Sequence, residues 1–229
     1  MNSVSDRLKN KIELAKPSMQ EAANALWNAD DAREIYPLYL EQMHMVVRSG
    51  VSLMQTAINT ARQLPSSCLL KTRVIDYLEK HIEEENGHDF WLLEDYESTG
   101  NDADHLLSKI PSCHVACMAG AQYYWIIHHH PVMIMGHIAA LEINHPPAGF
   151  SDYLSNLTDF PSTAFRAIFR HEKLDLVHKK EILALLNELG LSQSEETAIG
   201  VSALHTLDSG VNVLKAIRNR FNNKKPAHH

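Results

Sequence analysis

A chain of 229 residues that is 45% apolar and 21% charged is long enough to bury a core without staples. Its balance matches ordinary globular proteins, which excludes a disordered or fibrous chain. Its 21 Lys and Arg against 28 Asp and Glu give a net charge of −7 with His neutral, which disfavours nucleic acid or an anionic membrane surface as partner. Nine glycines are few for a turn-rich β architecture, so long helices are expected. The outlying count is histidine, at 15.

Cys68, Cys113 and Cys117 are odd in number and form no CxxC pair, so a reducing compartment is expected rather than a disulfide framework. The opening MNSVSDRLKNKIELAK carries charges every few residues and no apolar signal core, and no window reaches ~18 apolar residues. The expectation is a cytosolic protein with no membrane partner.

In chain order, Ser18-Met-Gln-Glu21 and Asp31-Ala-Arg-Glu34 each place a cap residue three before a Glu. That arrangement satisfies free N–H groups reciprocally and predicts a short helix near 18–28 and a long one near 32–62. Gln63-Leu-Pro-Ser-Ser67 then precedes a helix over 67–97, which Ser98-Thr-Gly-Asn-Asp102 ends. A short piece is expected near 104–109, and a long helix over 115–144, stopped by Asn144-His-Pro-Pro-Ala-Gly149. The next covers 162–189, with Gly190 just past its end, and the last covers 193–220, opened by Ser192-Gln-Ser-Glu195. No useful strand alternation or internal repeat is present. The expected fold is all-α, one domain of about seven helices over 1–221 with a polar tail, 222–229, that frays.

Helical residues at i, i+4 and i+7 fall within roughly 60° of one another. His171, Asp175 and His178 have this spacing, on the face that carries Ile168, Leu174, Ile182, Leu185 and Leu189. Three ionisable groups in a core-facing stripe are costly. Either a divalent metal compensates all three, or they form a His–Asp–His hydrogen-bond network facing a polar cavity.

The helix over 67–97 repeats the pattern. Val74, Tyr77, Leu78, Trp91 and Leu92 mark its inward stripe, and His81, Glu84, Glu85 and His88 fall in or beside it. Glu85 and His88 form an E-x-x-H pair of the kind found in carboxylate-bridged di-iron bundles. Gly87, costing ~1 kcal/mol inside a helix, suits a close approach beside His88. The alternative for the Glu83-Glu-Glu85 run is a solvated acidic face.

Glu142 stands among Ala139, Ala140, Leu141 and Ile143, where a carboxyl is protonated, ion-paired or a ligand. It shares an approximate face with Met135, His128 and Tyr124, across the kink expected at Pro131. Of the His128-His-His130 triplet at most one ring reaches any site, because neighbours point ~100° apart. His44 lies in the stripe Leu40, Val47, Val51, Met54, Ile58, with Glu41 at its edge, and is expected to line the cavity rather than to ligate. A donor set of carboxylates and imidazoles without thiolate suits iron or manganese better than structural zinc, and its size allows two ions.

Glu84-Glu-x-Gly-His88, Tyr123-Tyr with His130-Pro and Gly136…Glu142, and His171-x3-Asp175-x2-His178 occur in this order within roughly 32–215. Together they resemble the haem-oxygenase-like superfamily of TenA, PqqC and CADD-like proteins, and more narrowly its metal-binding branch of di-iron oxidases and oxygenases. The resemblance implies Glu85, His88, Glu142, His171, Asp175 and His178 as ligands. His44, His81 and Glu84 become further ligands or pocket residues, and Tyr123 and Tyr124 part of the pocket wall. Where some members carry a Glu seven residues before the motif His, this chain has His81. Where others supply a Glu from the first long helix, its stripe offers only His44 and Val51, which implies that one of two irons is held more weakly.

The same resemblance implies Fe(II)/Fe(III), O2 as co-substrate, no haem, a small organic substrate, an external electron donor and a homodimer. The expected activity is that of a non-haem iron oxidase or oxygenase. One alternative is a metal-independent TenA- or PqqC-like enzyme. A thiaminase-type TenA places a Cys one turn before a Tyr, whereas Ala119 and Gly120 precede Tyr123 and Tyr124 here and only Cys113 and Cys117 lie nearby. The other alternative is a non-catalytic helical binding protein.

Overall fold

The computed structural model describes residues 2–27 and 31–223. Among them are ten α-helices, two 3-10 turns and no strand. The helices are α1 (Val4–Trp27), α2 (Ala32–Ala61), α3 (Leu69–Glu85), α4 (His88–Ser98), α5 (Ala103–Leu107), α6 (Cys113–His128), α7 (Ile134–Ile143), α8 (Phe150–Thr158), α9 (Arg166–Glu188) and α10 (Gln193–Asn222). None of them is long and apolar enough to cross a membrane.

The architecture is all-α, as expected, with four differences in the helices. The short first helix begins much earlier. Ser3 Oγ accepts from the Asp6 amide while the Ser3 amide donates to Asp6 Oδ2, so the chain starts its helix there and buries Leu8 and Ile12 against α10. Ser18 is interior to that helix. The expected helix over 67–97 is two, broken at Asn86-Gly87, where Gly87 has φ +88°. The one over 115–144 is also two, interrupted by a non-helical His129 and a 3-10 turn at Pro131–Met133. The fourth difference is α8. Its opening amides at Gly149 and Ser151 donate to the Glu172 carboxylate from α9, a cap supplied from outside the local sequence. The Ser192–Glu195 capping box and the positive φ of Gly190 match the sequence reading. Residues 224–229, most of the expected tail, lie outside the described residues.

The apolar core forms two clusters. One gathers Leu53 and Ile58 of α2, Leu78 of α3, Ile134 and Ala139 of α7, Ile182 and Leu186 of α9, and Ile199 and Leu207 of α10. The other gathers Ile35, Tyr36 and Leu40 of α2, Leu92 and Tyr96 of α4, Ala167 and Ile168 of α9, and Val213 and Ile217 of α10. Helices α2, α9 and α10 run through both. The stretch of α9 between Ile168 and Ile182 holds His171, Asp175 and His178, and the stretch between Leu78 and Leu92 holds His81, Glu84, Glu85 and His88. The ionisable groups therefore occupy the seam between two apolar bodies.

One glycine fixes the depth of that seam. A Cβ at Gly136 of α7 would stand 2.1 Å from the Ile199 carbonyl oxygen and 2.9 Å from the Ala203 nitrogen of α10, both backbone atoms that cannot rotate away. Gly136→Ala is therefore expected to force α7 and α10 apart and to cost roughly 1–3 kcal/mol, read as a lower urea midpoint with an unchanged slope.

Candidate metal centre

Helix α3 ends at Glu85, and Asn86 leaves the helical region while its amide still donates to the Ile82 carbonyl. Gly87 then takes the left-handed conformation, which a side chain would strain, and α4 begins at His88. Glu85 and His88 are thus not one helical turn apart on a single helix. They are the last residue of one helix and the first of another, and the break brings His88 Nδ1 to 2.9 Å from Glu85 Oε2. The contact is misaligned for a hydrogen bond, and Nδ1 has no other partner.

Helix α9 faces this break. His171 Nδ1 donates to the Ala167 carbonyl at 2.8 Å, which leaves Nε2 as the free donor atom. The His171 ring stands edge-on to His88, with centroids 4.9 Å apart, and His88 stacks on Trp91 at 3.9 Å. Two turns along α9, His178 Nδ1 lies 3.4 Å from Glu85 Oε1 and 3.5 Å from Glu142 Oε1. His81 Nε2 lies 3.6 Å from the same Glu142 oxygen.

These side chains fall into two groups whose ligand atoms lie within 4.8 Å of one another. One is His81, Glu85, Glu142 and His178, the other Glu85, His88 and His171. Glu85 belongs to both. Asp175 is in neither group and lines the adjoining cavity, and Glu84 approaches from the rim, 3.6 Å from His178 Nε2 and 3.2 Å from Lys80.

The charge arrangement separates this cluster from another buried carboxylate, Glu41. Glu41 of α2 is answered by Lys109, by Arg220 Nη1 at 2.6 Å and by the Tyr96 hydroxyl at 3.2 Å. Glu85, Glu142 and Asp175 meet no Lys or Arg among the described residues; imidazoles are the only cationic candidates paired with the first two. Burial, with Glu142 and Glu85 nearby, pushes Asp175 up to about 8. Burial also raises Glu142. It opposes ionisation of Glu85 too, but His88, His81 and His171 outweigh it and hold that carboxyl below its usual range. Burial drives His81 and His171 down. His178 suffers the same burial and is nevertheless raised by Glu142, Glu85 and Glu84.

A cation is what this set lacks. Eight buried side-chain polar atoms have no hydrogen-bond partner among the described residues, and five of them belong here: Nδ1 of His81, His88 and His178, and one oxygen each of Glu84 and Glu142. Unpaired buried donors and acceptors each cost ~1–3 kcal/mol. Lone pairs converging from neutral imidazoles and carboxylates fit a divalent ion, whose charge satisfies all of them together.

The adjoining cavity has a volume of about 200 Å3. Helix α2 contributes Met43, Val46, Val47, Gly50, Val51 and Met54. His44 is buried but not in that wall: the lining stripe runs 43, 47, 50, 54, and His44 stands ~100° round the helix from Met43, toward Arg48 and Asp89. Tyr123 and Tyr124 do not line it either. The break at His129 and Pro131 uncouples the register of α6 from α7, so Tyr123 packs at the edge of the core. Tyr124 is 64% exposed and lines a separate surface groove with Trp125, His128 and His129. Cys113 and Cys117 are exposed on α6, outside the cavity wall. The sequence reading missed Asp95 of α4, whose carboxylate accepts from the Arg166 and Ala167 amides at 3.1 and 2.9 Å and so locks the start of α9 beside α4. It also missed His137, which lines the cavity from α7.

No protein-family model matches this chain, and no curated protein matches it. In three dimensions it is similar to a domain of unknown function with a haem oxygenase-like fold from Shewanella denitrificans OS217. The TM-score is 0.80 at 15% identity, over 99% of this chain and 97% of that one. It is also similar to a TenA homologue from Pseudomonas syringae pv. tomato strain DC3000, with a TM-score of 0.70 at 13% identity over 93% and 91% of the two chains. The fold is haem-oxygenase-like and TenA-like; at these identities the likeness is one of fold.

The raised Asp175 carboxyl gives the metal-free protein a pH signature. Its folded pKa of about 8 lies above the ordinary 3.8, so its contribution to stability is complete below that ordinary value and is lost as pH rises through about 8. Chelator-treated wild type is expected to lose more stability across that window than Asp175→Asn, in urea melts at matched pH.

Proposed function

We propose that this protein is a non-haem iron oxidase or oxygenase with up to two ions held by His81, Glu85, His88, Glu142, His171 and His178. Asp175 and Glu84 stand by as additional carboxylates. The observation that carries the reading is the shared Glu85 between two convergent groups, surrounded by buried lone pairs that nothing else satisfies. Iron bound there supplies activation of O2 for oxidation of a small organic substrate.

The chain's own contribution is positional. The Ala167 carbonyl holds His171 with Nε2 toward the cluster, and Trp91 fixes the plane of His88. Asp175, facing the cavity, holds a proton on its carboxyl up to about pH 8 in the absence of a cation. Val46, Val47, Val51, Ile134 and Ile138 wall the cavity with hydrocarbon and keep bulk water from the reacting atoms. An external electron donor and a homodimeric assembly belong to the same proposal. A thiaminase-type cysteine nucleophile finds no support in the cavity, whose wall contains no cysteine.

Anaerobic Fe(II) titration with metal analysis tests this in wild type and His171→Ala. Between one and two irons per wild-type chain are expected, with at least one lost in the variant at unchanged circular dichroism. A folded wild-type chain that takes up no iron overturns the proposal.

A further inference from the structure

The cavity wall holds a polar side chain that the metal reading does not use. His137, on α7, is 4% exposed and forms part of the wall with Ile134, Ile138 and Leu141. Its Nδ1 lies 2.9 Å from Thr206 Oγ1 of α10, a contact that the close approach at Gly136 makes possible. Thr206 Oγ1 donates its proton to the Ser202 carbonyl at 2.9 Å and accepts from Gln122 Nε2 at 3.3 Å. Gln122 Oε1 in turn accepts from Ser202 Oγ at 2.9 Å.

With the hydroxyl proton committed, Thr206 accepts from His137, which fixes the imidazole as the Nδ1–H tautomer and leaves Nε2 a bare acceptor. Burial, with His205 nearby, pushes this imidazole down to about 4, so the ring stays neutral at physiological pH. The only side-chain hydrogen bond of this ring among the described residues is the one at Nδ1, which leaves Nε2 without one. The space this ring borders is the cavity.

We infer that His137 is a specificity-determining contact of this cavity, its Nε2 accepting a hydrogen bond from a hydroxyl or N–H group on a small molecule with an apolar body. The inference rests on the proposal that the cavity is the substrate site. Apart from the cluster's own Glu85, Glu142, His81 and His171 and the neighbouring Asp175, the wall's one polar side chain is His137, and the wall has no Lys or Arg. Met43, Val47, Val51, Met54 and Ile138 receive the apolar body. An apolar cavity of ~150 Å3 holds benzene, so about 200 Å3 takes a compact bicycle or a short-chain alcohol. A molecule lacking the donor leaves Nε2 desolvated and unpaired, which is the physical basis of the selectivity.

Calorimetric titration of the full-length chain with indole and benzofuran tests this, since the two are bicycles of one shape with and without an N–H. Wild type is expected to bind indole roughly tenfold more tightly. His137→Phe should erase the preference while leaving benzofuran affinity within about twofold. Thr206→Val, which frees the tautomer without touching the wall, should shrink the preference. In 15N spectra it should convert His137 from the Nδ1–H form to a mixture, a change that a purely structural role for the network does not predict.

Binding of neither probe, equal affinities in wild type, or a preference that survives in both variants overturns the inference. Iron analysis of the same samples separates it from the metal proposal. An indole preference in a chain that takes up no iron refutes the metal centre alone, and iron uptake without a preference refutes the His137 assignment alone.

Discussion

Burying several carboxylates with no lysine or arginine to meet them is the constraint around which this bundle is arranged. Each ionised carboxylate taken from water into the seam between two apolar clusters carries a desolvation cost of several kcal/mol. Elsewhere in the same chain the cost is offset by conventional means, as at Glu41 with Lys109 and Arg220. At Glu85 and Glu142 the neighbours are imidazoles, and those imidazoles themselves lack partners. The helices converging there are held by contacts that do not involve the cluster. Asp95 ties α4 to the first turn of α9, Glu172 ties α9 to α8, and Gly136 lets α7 lie backbone to backbone on α10. The scaffold thus holds these side chains in place through contacts outside the cluster.

The break at Gly87 shows how a local backbone choice controls the chemistry. In one continuous helix Glu85 and His88 would project on one face toward a single position. Ending α3 at Glu85 and restarting at His88 leaves the Glu85 carboxylate facing His88 with Oε2 and His178 with Oε1. Glu85 then reaches His178 on one side and His88 on the other, so one carboxylate belongs to both groups.

Much of this was legible in the sequence, for identifiable reasons. His171, Asp175 and His178 announce themselves because a 3.6-residue period and an apolar stripe are local properties of one helix. Glu142 stands out by its isolation among alanines and aliphatics. The helix break was legible in principle, since Asn86-Gly87 is a turn dipeptide; the strong apolar periodicity on either side masked it. The early start of α1 was hidden by its charges and Pro17, and α8 by its cap, because the carboxylate that opens it belongs to Glu172, 23 residues from Gly149. His44 and Tyr124 misled for a shared reason. A helical wheel gives a stripe's direction to within about one residue, and across the disruption from His129 to Met133 it gives none. The His137–Thr206 pair joins positions 69 residues apart, and no pattern along the chain connects them.

The residues of the two groups also have an order in time. His81, Glu85 and His88 leave the ribosome first, Glu142 follows, and His171 and His178 come last in the sequence. Until α9 has been made, a nascent chain carries Glu85 with a partial set on either side and no lid of helix over it. Loop closure across that distance is slow compared with the formation of single helices. Neither group of side chains is complete in an N-terminal fragment, so a truncated or stalled chain cannot assemble either one. Completion of the centre thereby coincides with completion of the fold.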